Sequence, residues 1–412
     1  MPDVISESLQ GNAERLGIDP LYSAVRLVYS QQNRWFDFTG RWEYVTKKLA
    51  EGQEIPEDLM NTHADEGLNP NPPTATTEFI KAVRARVGEV VVGQDEVVER
   101  LLISLFTGGH LLLQGVPGLA KTLLVSVLSK SIDLAFNRVQ FTVDLLPSDI
   151  LGSEILDPRT NTFHTRKGPV FTNLLLADEI NRAAPKVQSA LLEAMQERRV
   201  TIGTETFELP APFLVIATQN PVEQAGTFEL PEAQLDRFML CHRLSYPTPD
   251  EEREVLRRNS RLGVRRQERG AVAKTEFDVL SHEPVGTIND LVTAMEAVHD
   301  VYVSETFTDH VVELVNRSRK HPALELGCSP RAGIALVKAS RARALIHGRN
   351  YVTPEDLYRL AEDVILHRVR LNYEALADGM TGPKVLRELL GPFGDSLRHS
   401  SRNGAAAHGR VS

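Results

Sequence analysis

The stretch His110–Thr122, HLLLQGVPGLAKT, decides how the rest of the chain is read. Leu111, Leu112 and Leu113 form an unbroken apolar run, the pattern of a strand buried on both faces of a parallel sheet. A loop with Gly115, Pro117 and Gly118 follows, then Lys121, Thr122 and a helical pattern carried by Leu123, Leu124, Val127 and Leu128. Strand, glycine-rich loop, Lys-Thr and helix are the context of a phosphate-binding loop. Glycines let backbone N–H groups turn inward around a polyphosphate, and the helix N-terminus adds partial positive charge. Lys121 is expected to reach the β- and γ-phosphates and the Thr122 hydroxyl to ligate Mg²⁺. Ala120 stands where the general pattern G-x-x-x-x-G-K-[ST] has its second glycine. Alanine permits the same close approach provided φ is negative there.

At 412 residues the chain has room for two or three domains. A hydrophobic share of 42% and a charged share of 25% describe an ordinary globular protein. The net charge of −9 argues against broad affinity for nucleic acid or acidic membranes. Cys241 and Cys328 are the only cysteines, too few for a disulfide framework or a thiolate metal site. The opening MPDVISESLQ is polar and lacks the apolar core of a signal peptide, and no apolar run approaches bilayer-spanning length. A cytoplasmic protein is expected.

Residues 1 to about 66 read as helical and hold both tryptophans, Trp35 and Trp42, among many aromatics. They suit either a small appendage with its own core or a partner-recognition module. Asn69-Pro70-Asn71-Pro72-Pro73 reads as a linker, because prolines at this density continue neither helix nor sheet. Two helices are predicted between Thr76 and Leu105, with Val92-Gly93-Gln94 between them. Val139–Val143 alternates like a strand, and the polar stretch 153–167 reads as an inserted hairpin or loop.

Leu174–Ala177 is a second buried strand, and it ends in Asp178 and Glu179. A phosphate-bound Mg²⁺ needs a carboxylate at such a strand end, which assigns Asp178. Hydrolysis needs a base for the attacking water, which assigns Glu179. Phe213–Thr218 is a third strand and leads to Asn220, whose neutral amide suits orienting water against a γ-phosphate. Arg237 follows Asp236, where a surface ion pair is the plain alternative. Past Pro249 helices dominate, with a loop expected over Gly270–Thr275. Ser329-Pro330 reads as an N-cap with proline at N1, and Thr353 to Asp356 has capping-box spacing. Arg331 in a first helical turn opposes the helix dipole, which suits a bound anion better than solvent.

Together these segments resemble the MoxR family of AAA+ ATPases over residues 77–390. The resemblance rests on Val92-Gly93-Gln94, GVPGLAKT (115–122), DLLPSDILG (144–152), GPVFTNLLLADEINRA (168–183), QSALLEAMQER (188–198), ATQNP (217–221), LPEAQLDRF (230–238) and SPRA (329–332). Alanine at the position of Ala120 is usual in that family. The resemblance implies nucleotide contacts from Val92, Gly93, Gln94 and the whole loop Gly115, Val116, Pro117, Gly118, Leu119, Ala120, Lys121 and Thr122. It makes Asn220 sensor 1, Arg237 the arginine finger and Arg331 sensor 2. Residues 153–167 would be the family's helix-2 insert, and 199–210 a hairpin before sensor 1.

The expected fold is α/β: a three-layer αβα P-loop domain with a parallel sheet, followed by an all-helical lid. The expected divisions are an extension and linker at 1–76, the ATPase core at 77–244, the lid at 245–395 and a disordered tail at 396–412. ATP and Mg²⁺ are the implied ligands, with ATP between sheet domain and lid. The family implies a homo-oligomeric ring, expected to be a hexamer, that remodels or matures a client, often one with a von Willebrand factor A domain. A magnesium-chelatase-like motor subunit shares this architecture. A DNA-directed motor fits the acidic balance poorly, and a scaffold without hydrolysis leaves Glu179 without a role.

Overall fold

The computed structural model describes residues 74–394, apart from 117, 222–225, 268–269 and 275–282. All of them belong to one compact unit, Asn71–Ser412. The expected N-terminal extension up to residue 73, including the proline-rich linker, and the expected tail at 396–412 lie outside the described residues.

Two helices come first, α1 (Thr74–Val90) and α2 (Asp95–Thr107). Then follow β1 (Leu111–Gln114), α3 (Lys121–Ser131), β2 (Phe136–Gln140), a short α4 (Pro147–Leu151) and the hairpin of β3 (Gly152–Asp157) and β4 (Thr162–Lys167). Next are β5 (Leu174–Asp178), α5 (Pro185–Glu197), the hairpin of β6 (Arg199–Ile202) and β7 (Glu205–Glu208), β8 (Leu214–Gln219), α6 (Glu232–Leu235) and β9 (Leu240–Arg243). The remainder is mainly helical. It comprises α7 (Pro249–Asn259), a hairpin of β10 (Val264–Gln267) and β11 (Gly270–Ala273), α8 (Ile288–His299), α9 (Glu305–Lys320), α10 (Pro330–Ile346), α11 (Pro354–Ile365), α12 (Tyr373–Ala377) and α13 (Gly382–Gly394).

The main sheet has the order β2-β5-β8-β1-β9, and every pairing in it is parallel. Its strands divide their side chains between two cores, because successive residues of a strand point to opposite faces. Leu111, Leu113, Leu174, Leu176, Leu214 and Ile216 join one apolar cluster with α1, α2 and α3. Leu112, Leu175, Ala177, Val215 and Ala217 join the other with α5. Both faces are therefore covered by helices, which is why β1, β5 and β8 are unbroken apolar runs up to their carboxyl ends. The first cluster runs on without a break into α8, α9, α10, α11 and α13.

Two expected elements differ. The strand predicted over Val139–Val143 lies at Phe136–Gln140, because its register with β5 pairs Gln140 with Asp178 and ends both strands together. Phe141 makes the last bond of the pairing, its N–H donating to Asp178 O (2.8 Å), and its side chain is fully buried in the second core. The loop expected over Gly270–Thr275 is instead a strand through Ala273, paired antiparallel with β10. The insert at 153–167 and the hairpin at 199–210 are both two-stranded ribbons, as expected.

The helical part is tied to α2 and to the sheet edge by a buried ionic network. The Glu99 carboxylate accepts from Arg100 (2.6 Å), Arg343 (3.2 Å) and His347 (2.8 Å). Arg100 also meets Asp363 on α11, whose other oxygen lies 3.0 Å from Nδ1 of His242 on β9. Arg343 and Arg349 share Asp356, the N3 residue of the Thr353 capping box. Burial alone would raise the Glu99 pKa. The hydrogen bond from His347 and the charges of Arg100 and Arg343 outweigh it and hold the pKa at about 2.

A depressed carboxylate contributes stability that is present above its unfolded pKa and lost as pH falls toward the folded one. For Glu99 the loss runs from about pH 4.5 down to about 2. Glu99→Ala leaves Arg100 and Arg343 short of a buried counter-charge, and should lower stability at pH 7 by roughly 3–5 kcal/mol. Its stability should also fall less steeply than wild type below pH 4.5. Urea denaturation followed by circular dichroism at several pH values checks both. Equal acid sensitivity in the two proteins would discount the network.

Candidate active site

The carboxyl ends of β5, β8 and β1 lie side by side and gather the acidic and phosphate-loop residues. Gln114 at the end of β1 is in register with Gln219 at the end of β8, and their amides are hydrogen-bonded (3.1 Å). The Gly115 N–H donates to Gln219 O (3.1 Å), so the loop after β1 starts against the end of β8. A side chain at Gly115 would be driven into Leu244. Gly118 takes φ +88°, while Val116, Leu119 and Thr122 are half-buried and Pro117 lies outside the described residues.

Ala120 has φ +53° and ends the loop in the left-handed region, directly before α3. The sequence reading required negative φ there, and that is corrected. The loop needs the left-handed turn to reverse direction into the helix, and alanine adopts it at a cost of roughly 1–2 kcal/mol. Lys121 Nζ donates to the Gly115 carbonyl at 2.9 Å. Burial lowers its pKa, against the opposing pull of the nearby Asp178 and Glu179 carboxylates.

Thr218, fully buried in β8, joins the two acids. Its hydroxyl donates to Asp178 Oδ1 (2.6 Å) and accepts the backbone N–H of Glu179 (2.9 Å). Glu179 itself lies at φ +57°, a conformation disfavoured for a residue with a Cβ and held here by that hydrogen bond. Its carboxylate pairs with Arg182 (2.9 Å), and Asp178 pairs with Arg138 of β2 (2.7 Å). Asn220, just past the end of β8, is buried and accepts from the Asn181 side chain through its carbonyl (3.5 Å).

Sequence reasoning missed Thr218, Arg138 and Arg182. A hydroxyl directly after the apolar run Leu214–Ala217 is a usable signal for Thr218. Arg182 lies at i+3 from Glu179, whereas Arg138 became visible only through the register of β2 on β5.

Val92, Gly93 and Gln94 form the turn between α1 and α2. Gly93 has φ +68°, and any side chain there would collide with the Glu251 carboxylate at the start of α7. Because α7 follows β9 past its carboxyl end, this turn is tied to the phosphate-loop side of the sheet.

Arg237 and Arg331 belong to the other side. Arg237 precedes β9, and Met239 hydrogen-bonds to His110 at the entry to β1. The four residues of β9 then run parallel to β1, about 13 Å at ~3.3 Å per residue, before reaching the level of Gln114. Arg237 Nε donates to Gln196 of α5 (3.2 Å). Its neighbour Asp236 accepts from Ser329 (3.1 Å) and Arg368 (2.8 Å), and Arg331 lies 3.9 Å away. Arg331 is thus grouped with Arg237 at the amino edge, not with Lys121 at the carboxyl edge. ATP expected between sheet and lid of one chain therefore has no Arg331 of that chain beside it. The helix start that bears Arg331 is as predicted, with Ser329 accepting from its N–H (3.2 Å) and Pro330 at N1.

A parallel sheet with a phosphate loop after β1, paired acids at the end of β5 one strand away across β8, and a helical C-terminal part defines a P-loop nucleotide hydrolase. Comparison with known proteins makes the class specific. Residues 110–240 match the model for the ATPase family associated with various cellular activities (AAA), and residues 316–389 match an AAA lid domain. The chain is 44% identical over 313 residues to Chaperone MoxR1 of Mycobacterium tuberculosis, covering 74% of this chain and 79% of that one. It is 43% identical over 310 residues to the protein YeaC of Bacillus subtilis, covering 75% and 92%. A crystal structure from Cytophaga hutchinsonii, described as a "putative ATPase", superposes with a TM-score of 0.68 at 44% identity, covering 76% of this chain and 94% of that one. The chain belongs to the MoxR family of AAA+ ATPases. Its reaction is the hydrolysis of ATP. A magnesium-chelatase 38 kDa subunit of Acidiphilium rubrum is more distant, at 29% identity over 223 residues. Among the described residues no helix is long and apolar enough to cross a membrane.

Thr218→Val keeps the shape of the side chain but removes both hydrogen bonds, leaving the Glu179 N–H unsatisfied. Stability should fall by roughly 1–3 kcal/mol. ATP turnover should fall at least tenfold with nucleotide affinity nearly unchanged, and Thr218→Ser should restore both. Steady-state kinetics and thermal melts of the two variants check this.

Proposed function

We propose that this protein works as a ring-forming ATPase that uses hydrolysis to remodel, mature or activate a partner protein. The observation that carries the reading is the separation of Arg237 from the phosphate loop by the length of the sheet. An arginine at the amino edge serves a γ-phosphate at the carboxyl edge only in another subunit. The resulting contact is head-to-tail, and such contacts close into rings when the rotation permits. A hexamer is the assembly we assign.

Within one site, the loop from Gly115 to Thr122 binds the phosphates, with Lys121 on the β- and γ-phosphates and Val92, Gly93 and Gln94 on the rest of the nucleotide. The donor set fits Mg²⁺: the Asp178 carboxylate and Thr122 hydroxyl are hard oxygen ligands. Among the described residues no group of three His, Cys, Asp or Glu side chains forms a protein cage. Held by the Asp178 and Thr122 oxygens and the substrate phosphates, the cation would neutralise charge during phosphoryl transfer. Glu179 accepts the proton of the attacking water, Asn220 orients that water, and Arg237 and Arg331 of the next subunit steady the γ-phosphate.

A chaperone-like role is supported by the name of the Mycobacterium tuberculosis relative. The von Willebrand factor A client rests on family resemblance, and the cytoplasm is the setting we assign. The magnesium-chelatase reading is weaker, since identity to that subunit is lower and spans 53% of this chain.

Glu179→Gln should bind ATP as wild type does and slow hydrolysis by about 10²–10⁴-fold, the scale of a lost general base. Unchanged turnover would remove Glu179 from that role. The same variant is suited to trapping the client in a pull-down.

Arg237→Ala should bind ATP nearly normally and lose on the order of 10³–10⁵ in rate. Lys121→Ala should neither bind nor hydrolyse. Mixing the two should recover activity in proportion to ring formation, because an intact Arg237 from one chain then faces an intact phosphate loop on the other. Co-assembly without recovery would overturn the trans arrangement.

A further inference from the structure

The helical part carries a groove of about 620 Å³ on the same side as Arg237 and Arg331. Its floor is apolar, with Val311, Val312 and Val315 from α9 and Ile334 and Val337 from α10. Thr107, at the end of α2 just before β1, lies at one end, and Pro330, the neighbour of Arg331, lines it too. Lys338 and Arg341 also line it and form no ion pair among the described residues. Arg341 Nε is moreover buried without a hydrogen-bond partner there. Ile334 is 56% and Val312 52% exposed, so the groove presents contiguous apolar surface to solvent.

At the opposite edge lies a helix with the complementary character. None of the residues of α7 is buried, yet it carries Val255 and Leu256, the latter 66% exposed. Glu252, Val255, Leu256 and Asn259 occupy i, i+3, i+4 and i+7, one face of the helix. Glu252 has no partner among the described residues, whereas Arg253 is paired with Asp250, and Arg257 and Arg258 with Glu254. The helix is anchored on its other side, where Arg258 donates to the Gly88 and Glu89 carbonyls and Glu251 packs against Gly93. Its eleven residues span about 16 Å, and the α10 stretch from Pro330 to Arg341 that lines the groove has about the same length.

We propose that α7 of one subunit seats in the α9–α10 groove of the next, with Val255 and Leu256 on the valine floor and Glu252 facing Lys338 and Arg341. The proposal rests on the trans reading of Arg237 and gives it a second contact. Groove and arginines share the amino edge, while α7 and the phosphate loop share the carboxyl edge. One head-to-tail step therefore brings both pairs together. Because Gly93 packs on Glu251, the nucleotide-binding turn and the docking helix move as one unit. Subunit contact is thereby linked to nucleotide occupancy.

Leu256→Cys and Ile334→Cys are made in separate full-length chains, mixed with ATP and exposed to a mild oxidant. Native Cys241 and Cys328 are buried, and burial raises both thiols, Cys241 to about 12, so neither competes for the cross-link. Disulfide-linked dimers are expected from the mixture and not from either chain alone. Leu256→Asp and Ile334→Asp, at exposed positions, should keep the wild-type circular dichroism melt. Each should reduce ATP-dependent assembly at least tenfold in concentration, as read by light scattering. Assembly at wild-type concentrations in both Asp variants, or the absence of linked dimers, overturns the proposal. Recovery of activity in the Arg237→Ala and Lys121→Ala mixture distinguishes the two failures. Recovery without cross-linking rejects the α7 contact alone, and loss of both rejects the trans arrangement with it.

Discussion

The common direction of the five strands is the constraint on which everything else depends. In a parallel sheet all carboxyl ends meet at one edge and all amino ends at the other. Three adjacent strands, β5, β8 and β1, therefore deliver two acids, an amide and a phosphate loop to neighbouring positions without any long-range adjustment. The same polarity places whatever precedes β9 at the far edge. Arg237 is thus withheld from its own chain's phosphate loop by geometry that no side-chain rotation can undo.

Around this frame the acidic residues are held by a small number of hydrogen bonds. Thr218 touches both Asp178 and the Glu179 backbone, so one buried hydroxyl sets the spacing of the two groups assigned to metal and water. Arg138 and Arg182 reduce the repulsion between two carboxylates that follow each other in the chain. Two of the five described non-glycine residues with positive φ belong to this site, Ala120 and Glu179. Strain of this kind persists only where the surroundings over-determine the conformation. A packed sheet edge with hydrogen bonds on every side is such a place.

The helical part is not a loosely tethered second body. One apolar cluster runs from the sheet through α2 into α10 and α11, and the network of Glu99, Arg100, Arg343, Asp356 and Asp363 lies within it. Breaking a buried pair costs far more than forming it gains. Removing any one member would leave its partners as uncompensated buried charge. Asp363 and His242 carry the network onto β9, the strand that joins the Arg237 edge to α7.

The sequence by itself determined the parts whose chemistry is local. Glycine spacing followed by Lys121-Thr122, a run of leucines ending in Asp178-Glu179, and Ser329-Pro330 before Arg331 each depend on residues within a few positions. Local propensity and hydrogen bonding are enough to specify them. Only the tertiary structure decided the features that depend on register and on direction across the sheet. The β2 boundary moved because its pairing with β5 ended the strand at Gln140. The positive φ of Ala120, at the junction of loop and α3, is a property of the folded loop that its residue type does not announce. Thr218 and Arg138 acquired their partners from a neighbouring strand about forty positions away in sequence. The grouping of Arg331 with Arg237 has the same origin: the start of α10 is held to Asp236 at the amino edge, a contact between segments far apart in sequence.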